Sequence, residues 1–353
     1  MPRRALFLAF GMMLMGLAHD AGAAEEPPRI SRPKPAPPAQ PDVPALPPAQ
    51  FDPTLNVGGQ DVKARKVDTR LSVDVQVNGR GPYRFIVDSG ADTSVVGLRI
   101  ARDLQLPLGT PAVLNGMTAR NIVDRVKVAR LSVGSSTISD VDLPALNEAD
   151  VGGDGIIGID ALVQPRLMMD FEKHSIRVED ARIPERREPG DIIVIARRLR
   201  GQLILTHVKA AGYDLDAVID TGSEITIGNL ALRDKLIRGN RDKFVTVPVI
   251  GVTGETVKLQ VARIGELQLG PVTLHNIPMA FADVPPFKMF GLSNEPALLL
   301  GTDLLDTFRR ISLDFKARKV RFQLRRCEDS VVISTDPDEF SRLSAANEEV
   351  CRR

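Results

Sequence analysis

Tryptophan is absent from these 353 residues, tyrosine and cysteine occur twice each, and the formal net charge is only +1. Each shortage excludes something. A near-neutral chain with no dense Lys/Arg stripe and no basic residues interleaved with aromatics carries no footprint for nucleic acid. With 13 Phe and 2 Tyr as the whole aromatic complement, any pocket is lined mainly by aliphatic side chains. Cys327 and Cys351 both fall near the C-terminus, so a bridge between them would pin a tail rather than hold a core; two free thiols are the alternative, and neither spacing suits a metal. The histidines (His19, His174, His207 and His275) are scattered and form no HExxH, so no metal is expected, nor any other cofactor. No Gly-x-Ser-x-Gly elbow is present, which argues against a serine hydrolase. No apolar run reaches the roughly 20 residues that span a bilayer.

What is present begins with an export signature. Arg3 and Arg4 precede the short apolar run Ala5–Ala18, and the small residues Ala21–Ala23 follow. That is the layout of a cleavable signal over residues 1–23, with a mature start near Ala24 and no stable membrane insertion afterwards. An uncleaved anchor is the alternative. The mature chain is expected to be exported, to a periplasm or beyond, where a disulfide is chemically permissible.

Residues 24–67 are dense in proline, as in "PPRISRPKPAPPAQPDVPALPPAQFDP", and favour polyproline II or disorder. A spacer is the plain reading; a pro-segment covering an active site is the other. Past Val67 the texture changes to short β-rich runs. "RLSVDVQVNG" alternates, reaches the Asn78-Gly79 turn signal, and a second strand, "YRFIVDSG", follows. "LRIARDLQL" has helical spacing and stops at Pro107.

The order then repeats. "QLILTHVKAAGYDLDAVIDTG" parallels the first hairpin, "NLALRDKLI" the helix, "PALLLGTDLL" parallels "DGIIGIDAL", and "RRISLDFKARKVRFQL" parallels "RLMMDFEKHSIRVE". A repeat this long is a duplicated domain, not a solenoid, whose periods are about 20 to 50 residues. The expected layout is a mainly β chain with an N-terminal lobe over 68–182, a linker over 183–199, a C-terminal lobe over 200–326 and a tail over 327–353.

"FIVDSGADTSVV" and "AVIDTGSEIT" resemble the hydrophobic-hydrophobic-Asp-(Thr/Ser)-Gly signature of aspartic proteases. "IIG" (Ile156–Gly158) and "LLG" (Leu299–Gly301) are similar to the hydrophobic-hydrophobic-Gly element of each lobe in that family. The resemblance covers about residues 68–326 and is closest in lobe size to retropepsins. It implies two retropepsin-like β-barrel lobes in one chain, with Asp88 and Asp220 meeting at a pseudo-two-fold axis in a cleft between them. It also implies that Ser89 and Thr221 reach across to lock the two loops.

The residue chemistry points the same way. Two carboxyls within hydrogen-bonding reach cannot both ionise easily, so they share a proton, one serving as base and the other as acid. Gly90 and Gly222 allow a close backbone approach that a Cβ would block. Ser223, where the first copy has Ala91, is expected to donate its hydroxyl to the outer oxygen of Asp220, making Asp220 the more acidic partner. "LNGMTA" and "IGVTGE" lie at similar distances beyond their Asp and suit two flaps, with Gly116, Thr118, Gly251 and Thr253 near the tips; ordinary hairpin turns are the alternative. Asp160, Asp170, Asp303 and Asp314 also recur between the copies and are expected to be turn and loop hydrogen-bonders. The functional expectation is an aspartic endopeptidase acting on a protein or peptide substrate, for which a monomer suffices. Two rivals stand beside it: an inactive peptide-binding module of the same fold, and a glycosidase, whose carboxyls would stand roughly 5 Å or more apart.

Overall fold

The computed structural model describes residues 29–37, 43–46, 61–67, 69–134, 136–162, 166–179, 191–236 and 244–325. The expected signal segment, the tail and both cysteines lie outside these residues. Strands dominate. The first half runs β1 (Lys34–Pro35), β2 (Asp61–Val67), β3 (Arg70–Val77), β4 (Arg80–Val87), β5 (Val95–Gly97) and α1 (Leu98–Asp103). It continues through β6 (Ala112–Asn115), β7 (Arg120–Val123), β8 (Arg125–Val133), β9 (Ser136–Leu146), α2 (Glu148–Val151), β10 (Gly155–Ile157), β11 (Arg166–Asp170) and β12 (Ser175–Glu179). The second half opens with β13 (Asp191–Leu199), β14 (Gln202–Ala210), β15 (Tyr213–Ile219), β16 (Ile227–Gly228) and α3 (Leu230–Leu236). Then come β17 (Val245–Ile250), β18 (Thr256–Leu269), β19 (Val272–Phe281), α4 (Pro285–Met289), β20 (Ala297–Leu300), α5 (Thr302–Leu305), β21 (Phe308–Asp314) and β22 (Lys319–Leu324).

Local chemistry accounts for the hairpin that opens the first lobe. In β3, Leu71, Val73, Val75 and Val77 are buried while Asp74 and Gln76 face water, the period-2 pattern of a half-buried strand. Asn78 and Gly79 both take positive φ, 51° and 75°, as a tight two-residue hairpin turn requires. The return strand β4 ends in Phe85, Ile86 and Val87, all buried, and delivers Asp88 at its C-terminal end.

Each lobe closes on itself. β3 pairs with β4 and β8, β4 runs parallel to β10, and β10, β5, β9 and β8 complete the ring in turn. The second lobe repeats the circuit: β14 pairs with β15 and β18, β15 runs parallel to β20, and β20, β16, β19 and β18 close it. The architecture is therefore two equivalent β-barrel lobes, each filled by aliphatic and phenylalanine side chains. Closure leaves neither barrel an open sheet edge.

A shared antiparallel sheet joins the lobes, in the order β2, β12, β11, β21, β22, β13. Its middle is the β11–β21 pair, with Met168 opposite Ser312. Two reciprocal ion pairs flank that point: Arg166 on Asp314 at 3.3 Å and Arg310 on Asp170 at 2.9 Å. The same contact made twice in opposite senses marks a pseudo-two-fold axis. Residues 191–199, which the sequence assigns to a linker, form strand β13, whose first half (Asp191–Ile195) pairs with β22 in this sheet and whose second half (Ala196–Leu199) pairs with β14.

Candidate active site

Asp88 and Asp220 lie at equivalent places, each on the turn after a strand paired in parallel with the hydrophobic-hydrophobic-Gly strand of its own lobe. The Asp88 N–H donates to the Ile157 carbonyl at 2.9 Å, and the Asp220 N–H donates to the Leu300 carbonyl at 3.0 Å. Each turn folds back on its own carboxylate. Asp88 Oδ1 accepts from the N–H of Gly90 (2.7 Å) and of Ala91 (3.0 Å). Asp220 Oδ1 accepts from the N–H of Gly222 (3.0 Å) and of Ser223 (3.1 Å).

The lobes lock together immediately behind these carboxyls. The Ser89 N–H donates to Thr221 Oγ1 at 2.9 Å, and the Thr221 N–H donates to Ser89 Oγ at 3.2 Å. The two hydroxyls then donate onward across the interface, Ser89 to the Ile219 carbonyl and Thr221 to that of Val87. Glycine is required at the crossing. A Cβ on Gly222 would overlap the Asp88 carboxyl, and one on Gly90 would overlap that of Asp220. The result is that the two carboxyls come within hydrogen-bonding reach of each other.

Burial first, and that proximity second, set their acidity. Burial, then the neighbouring charge of Asp220, pushes Asp88 up to about 8. Burial raises Asp220 as well, but the N–H groups of Gly222 and Ser223, the hydrogen bond from Asp88 and the positive charge of Arg70 all oppose the rise. Asp88 has the matching N–H bonds from Gly90 and Ala91, so it is Arg70 that favours placing the pair's single negative charge on Asp220. Its extra acidity does not come from the Ser223 hydroxyl. Ser223 Oγ donates to the Ile225 carbonyl at 2.8 Å, because the turn points the side chain along its own chain and leaves only the backbone N–H for Asp220.

Two of the other recurring aspartates, Asp160 and Asp303, brace these turns. Ser94 Oγ donates to Asp160 at 2.7 Å and accepts the Gly158 N–H at 3.0 Å. Thr226 Oγ1 donates to Asp303 at 2.6 Å and accepts the Gly301 N–H at 3.0 Å. Burial raises both carboxyls, that of Asp303 to about 6. Gly158 and Gly301 leave no room for a Cβ, which would meet the backbone at Thr93 and at Ile225.

Over the cleft hang two hairpins, β6–β7 and β17–β18. Their tips are tight turns, the Gly116 N–H bonding the Ala119 carbonyl and the Gly251 N–H that of Glu255, each at 2.9 Å. The tips touch: Thr118 packs against Gly251, and Thr253 Oγ1 donates to Asn121 Oδ1 at 3.0 Å. Met117 and Val252, one residue past each tip glycine, point into the cleft. All four flap residues expected from the sequence therefore lie at this junction above the aspartates.

One pocket of about 120 Å³ contains Asp88 and Asp220. Beyond the aspartates lies a second, of about 360 Å³, bordered by Arg70, Asp150 and Glu224 as well as by aliphatic residues. Arg70 of the first lobe bonds Glu224 of the second at 2.6 Å. The counterpart contact runs the other way, from Gln202 of the second lobe to Asp92 of the first at 3.0 Å. Among the described residues no group of three or more His, Cys, Asp or Glu could hold a metal ion.

The sequence profile of the aspartyl protease family matches residues 73–161 and 206–304, one segment per lobe and more than half of the chain. The chain belongs to the aspartyl protease family. No curated protein matches it. The two matched segments of this family member carry Asp88 and Asp220, respectively, with both flap tips. Arg70, Asp92, Gln202 and Glu224 escaped the sequence reading, since a charge on an alternating strand or after a turn reads as a solvated group. The usable signal was positional: Arg70 and Gln202 precede their Asp by equal intervals, and Asp92 and Glu224 follow theirs by equal intervals.

Proposed function

We propose that this protein is an aspartic endopeptidase that hydrolyses peptide bonds with a water activated between Asp88 and Asp220. The observation that carries this reading is the meeting of two carboxyls in one cleft, one from each lobe, that of Asp220 buried and that of Asp88 half-buried. Asp220 is the ionised member and takes a proton from water as the water oxygen attacks the peptide carbonyl carbon. Asp88 gives its proton to the carbonyl oxygen, so a neutral diol forms with no net charge change. The proton held by Asp220 then passes to the amide nitrogen, Asp88 recovers one from the diol, and the C–N bond breaks. The pair is left with the single proton it began with. Each carboxyl lies against the turn glycine of the opposite lobe, a proximity that argues against a glycosidase, which needs its carboxyls farther apart.

The cleft suits an extended peptide, whose main chain can bond to the flap edges while alternate side chains enter pockets on either side. Both aspartates belong to one chain, which supports activity as a monomer. The N-terminal sequence supports export and removal of residues 1–23; sequencing the mature N-terminus should give Ala24 or its neighbour.

The test is incubation of the purified protein with a peptide library, with and without pepstatin. Pepstatin-sensitive cleavage that disappears in Asp88→Asn and in Asp220→Asn is expected. A protein that binds peptides and pepstatin but cuts nothing is instead a peptide-binding module of this fold.

A further inference from the structure

The two flaps differ in one respect that neither lobe's own sequence explains. The flap β6–β7 is bordered on both edges by the proline-rich N-terminal segment. On one edge Lys34 and Pro35 pair with Ile122 and Asn121, the Ala36 N–H donates to the Arg120 carbonyl at 2.9 Å, and Arg120 Nη1 donates to the Pro37 carbonyl at 2.7 Å. On the other edge Ala45 bridges Val113 in parallel, with the Val113 N–H donating to the Pro44 carbonyl (2.8 Å) and the Leu46 N–H to the Val113 carbonyl (3.1 Å). The second flap has no such partner among the described residues: its strand β17 pairs with β18 alone.

The segment also enters the cleft. Leu46 packs against the apolar cluster of Val95, Leu114, Val123, Leu146, Val151 and Ile156, and it lines the same pocket as Asp88 and Asp220. Pseudo-two-fold equivalents identify what Leu46 fills. Val95 corresponds to Ile227, each at the same interval after its Asp. Leu114 corresponds to Val249, each two residues before its flap glycine, and Val252 corresponds to Met117, each one residue after. Ile227, Val249 and Met117 line the open 360 Å³ pocket on the far side of the aspartates. One apolar niche thus stands open, while its twin holds a leucine next to Ala45, which is bridged to the flap at Val113.

We propose that the stretches 29–37 and 43–46 are a built-in competitor of the substrate, with Leu46 occupying an apolar side-chain subsite that must be vacated before a substrate's aliphatic residue enters it. This rests on the protease reading above and adds to it which subsite is aliphatic and what normally fills it. Backbone bonding to a flap edge plus a side chain in a niche is how an extended peptide is recognised. The proline-rich stretch already disfavours many competing conformations, which lowers the cost of ordering it there. A substrate therefore sees only the fraction of molecules whose niche is empty, and its apparent affinity drops by that fraction.

The experiment uses the full chain carrying Leu46→Glu, whose carboxylate will not leave water for an unpaired apolar niche. A fluorogenic peptide with leucine or valine on both sides of the scissile bond is the substrate. The expected result is a KM about tenfold lower than wild type with kcat within about twofold, on the scale set by burying one leucine. A synthetic peptide of residues 29–50 added to Leu46→Glu should raise KM back competitively, and the same peptide carrying the Glu should not. Leu46→Ala, which adds no charge, should shift KM in the same direction by less. Cleavage with KM unchanged or raised in both variants overturns the proposal and leaves the protease reading standing, since Leu46 is then a fixed wall. If no form cleaves, the protease reading falls. Pepstatin binding by calorimetry then decides: tighter binding to Leu46→Glu than to wild type upholds the competitor, and equal or absent binding overturns it.

Discussion

The two lobes share almost every contact that positions an aspartate and differ in the contacts that tune it. Each carboxylate accepts two backbone N–H bonds from its own turn, each turn is braced by a hydroxyl and a second aspartate, and each crosses the other through a hydroxyl-bearing neighbour and a glycine. Backbone geometry is therefore close to symmetric. Charge is not: Arg70 and Glu224 stand where the opposite side has Gln202 and Asp92, with Arg200 3.8 Å from Asp92, and Arg70 favours the anion of Asp220. A symmetric pair leaves both carboxyls equivalent. Divergence one contact away gives one of them the first ionisation, which acid–base chemistry requires.

The strongest way to break this comparison is to remove either carboxyl. Asp88→Asn and Asp220→Asn should each lower kcat by about a thousandfold or more, because neither lobe can serve as both acid and base. The same variants should melt at higher temperature than wild type above pH 6. The sign follows from the raised acidity constants. The unfolded chain ionises these groups near the ordinary carboxylate range and the folded chain only at higher pH, so the unfolded state binds fewer protons in between and stability falls as pH rises. Melting temperature measured from pH 4 to 8 should decline with pH in wild type and decline less in Asp88→Asn. A melting temperature that rises through that window contradicts the burial account.

Next in size is the crossing itself. Gly222→Ala should reduce activity about a hundredfold or more, since a misplaced dyad costs on that order, and Gly90→Ala should do the same from the other side. The contrast should be sharpest with Gly265→Ala, where a Cβ meets nothing and little change is expected.

A smaller change tests the asymmetry. Arg70→Gln removes the cation from the Glu224 contact while Asp92 keeps Arg200 at 3.8 Å, and the acid limb of the pH–rate profile should move to higher pH as Asp220 loses its positive neighbour. Stability should drop by only about 1 kcal/mol, because Glu224 is well exposed and such pairs contribute little. The smallest effect belongs to Ser223→Ala, which should leave the acid limb in place because that hydroxyl bonds Ile225. An acid limb that moves with Ser223→Ala and not with Arg70→Gln would reverse the assignment.

How much of this was legible in the sequence depends on how far each contact reaches. The β3–β4 hairpin was readable because alternation and the Asn78-Gly79 turn are local, and the Asp turns because they occur twice. Ser223 misled: its hydroxyl had the right chemistry, but the direction of the turn decides where it points. Arg70 and Glu224 meet across lobes, and nothing local to either residue names the other. Leu46 was hidden differently, as one apolar residue in a stretch whose prolines speak for a spacer; only the bonds of that stretch to Val113 and Arg120 set it against a flap.

The account is tested most directly by the pH dependence of peptide cleavage by the wild-type chain, measured beside Asp88→Asn and Asp220→Asn. It predicts a bell-shaped, pepstatin-sensitive profile in the wild type, the acid limb reporting Asp220 and the basic limb Asp88, and no cleavage above background in either variant. Cleavage that persists in both variants, with the bell intact, would contradict it.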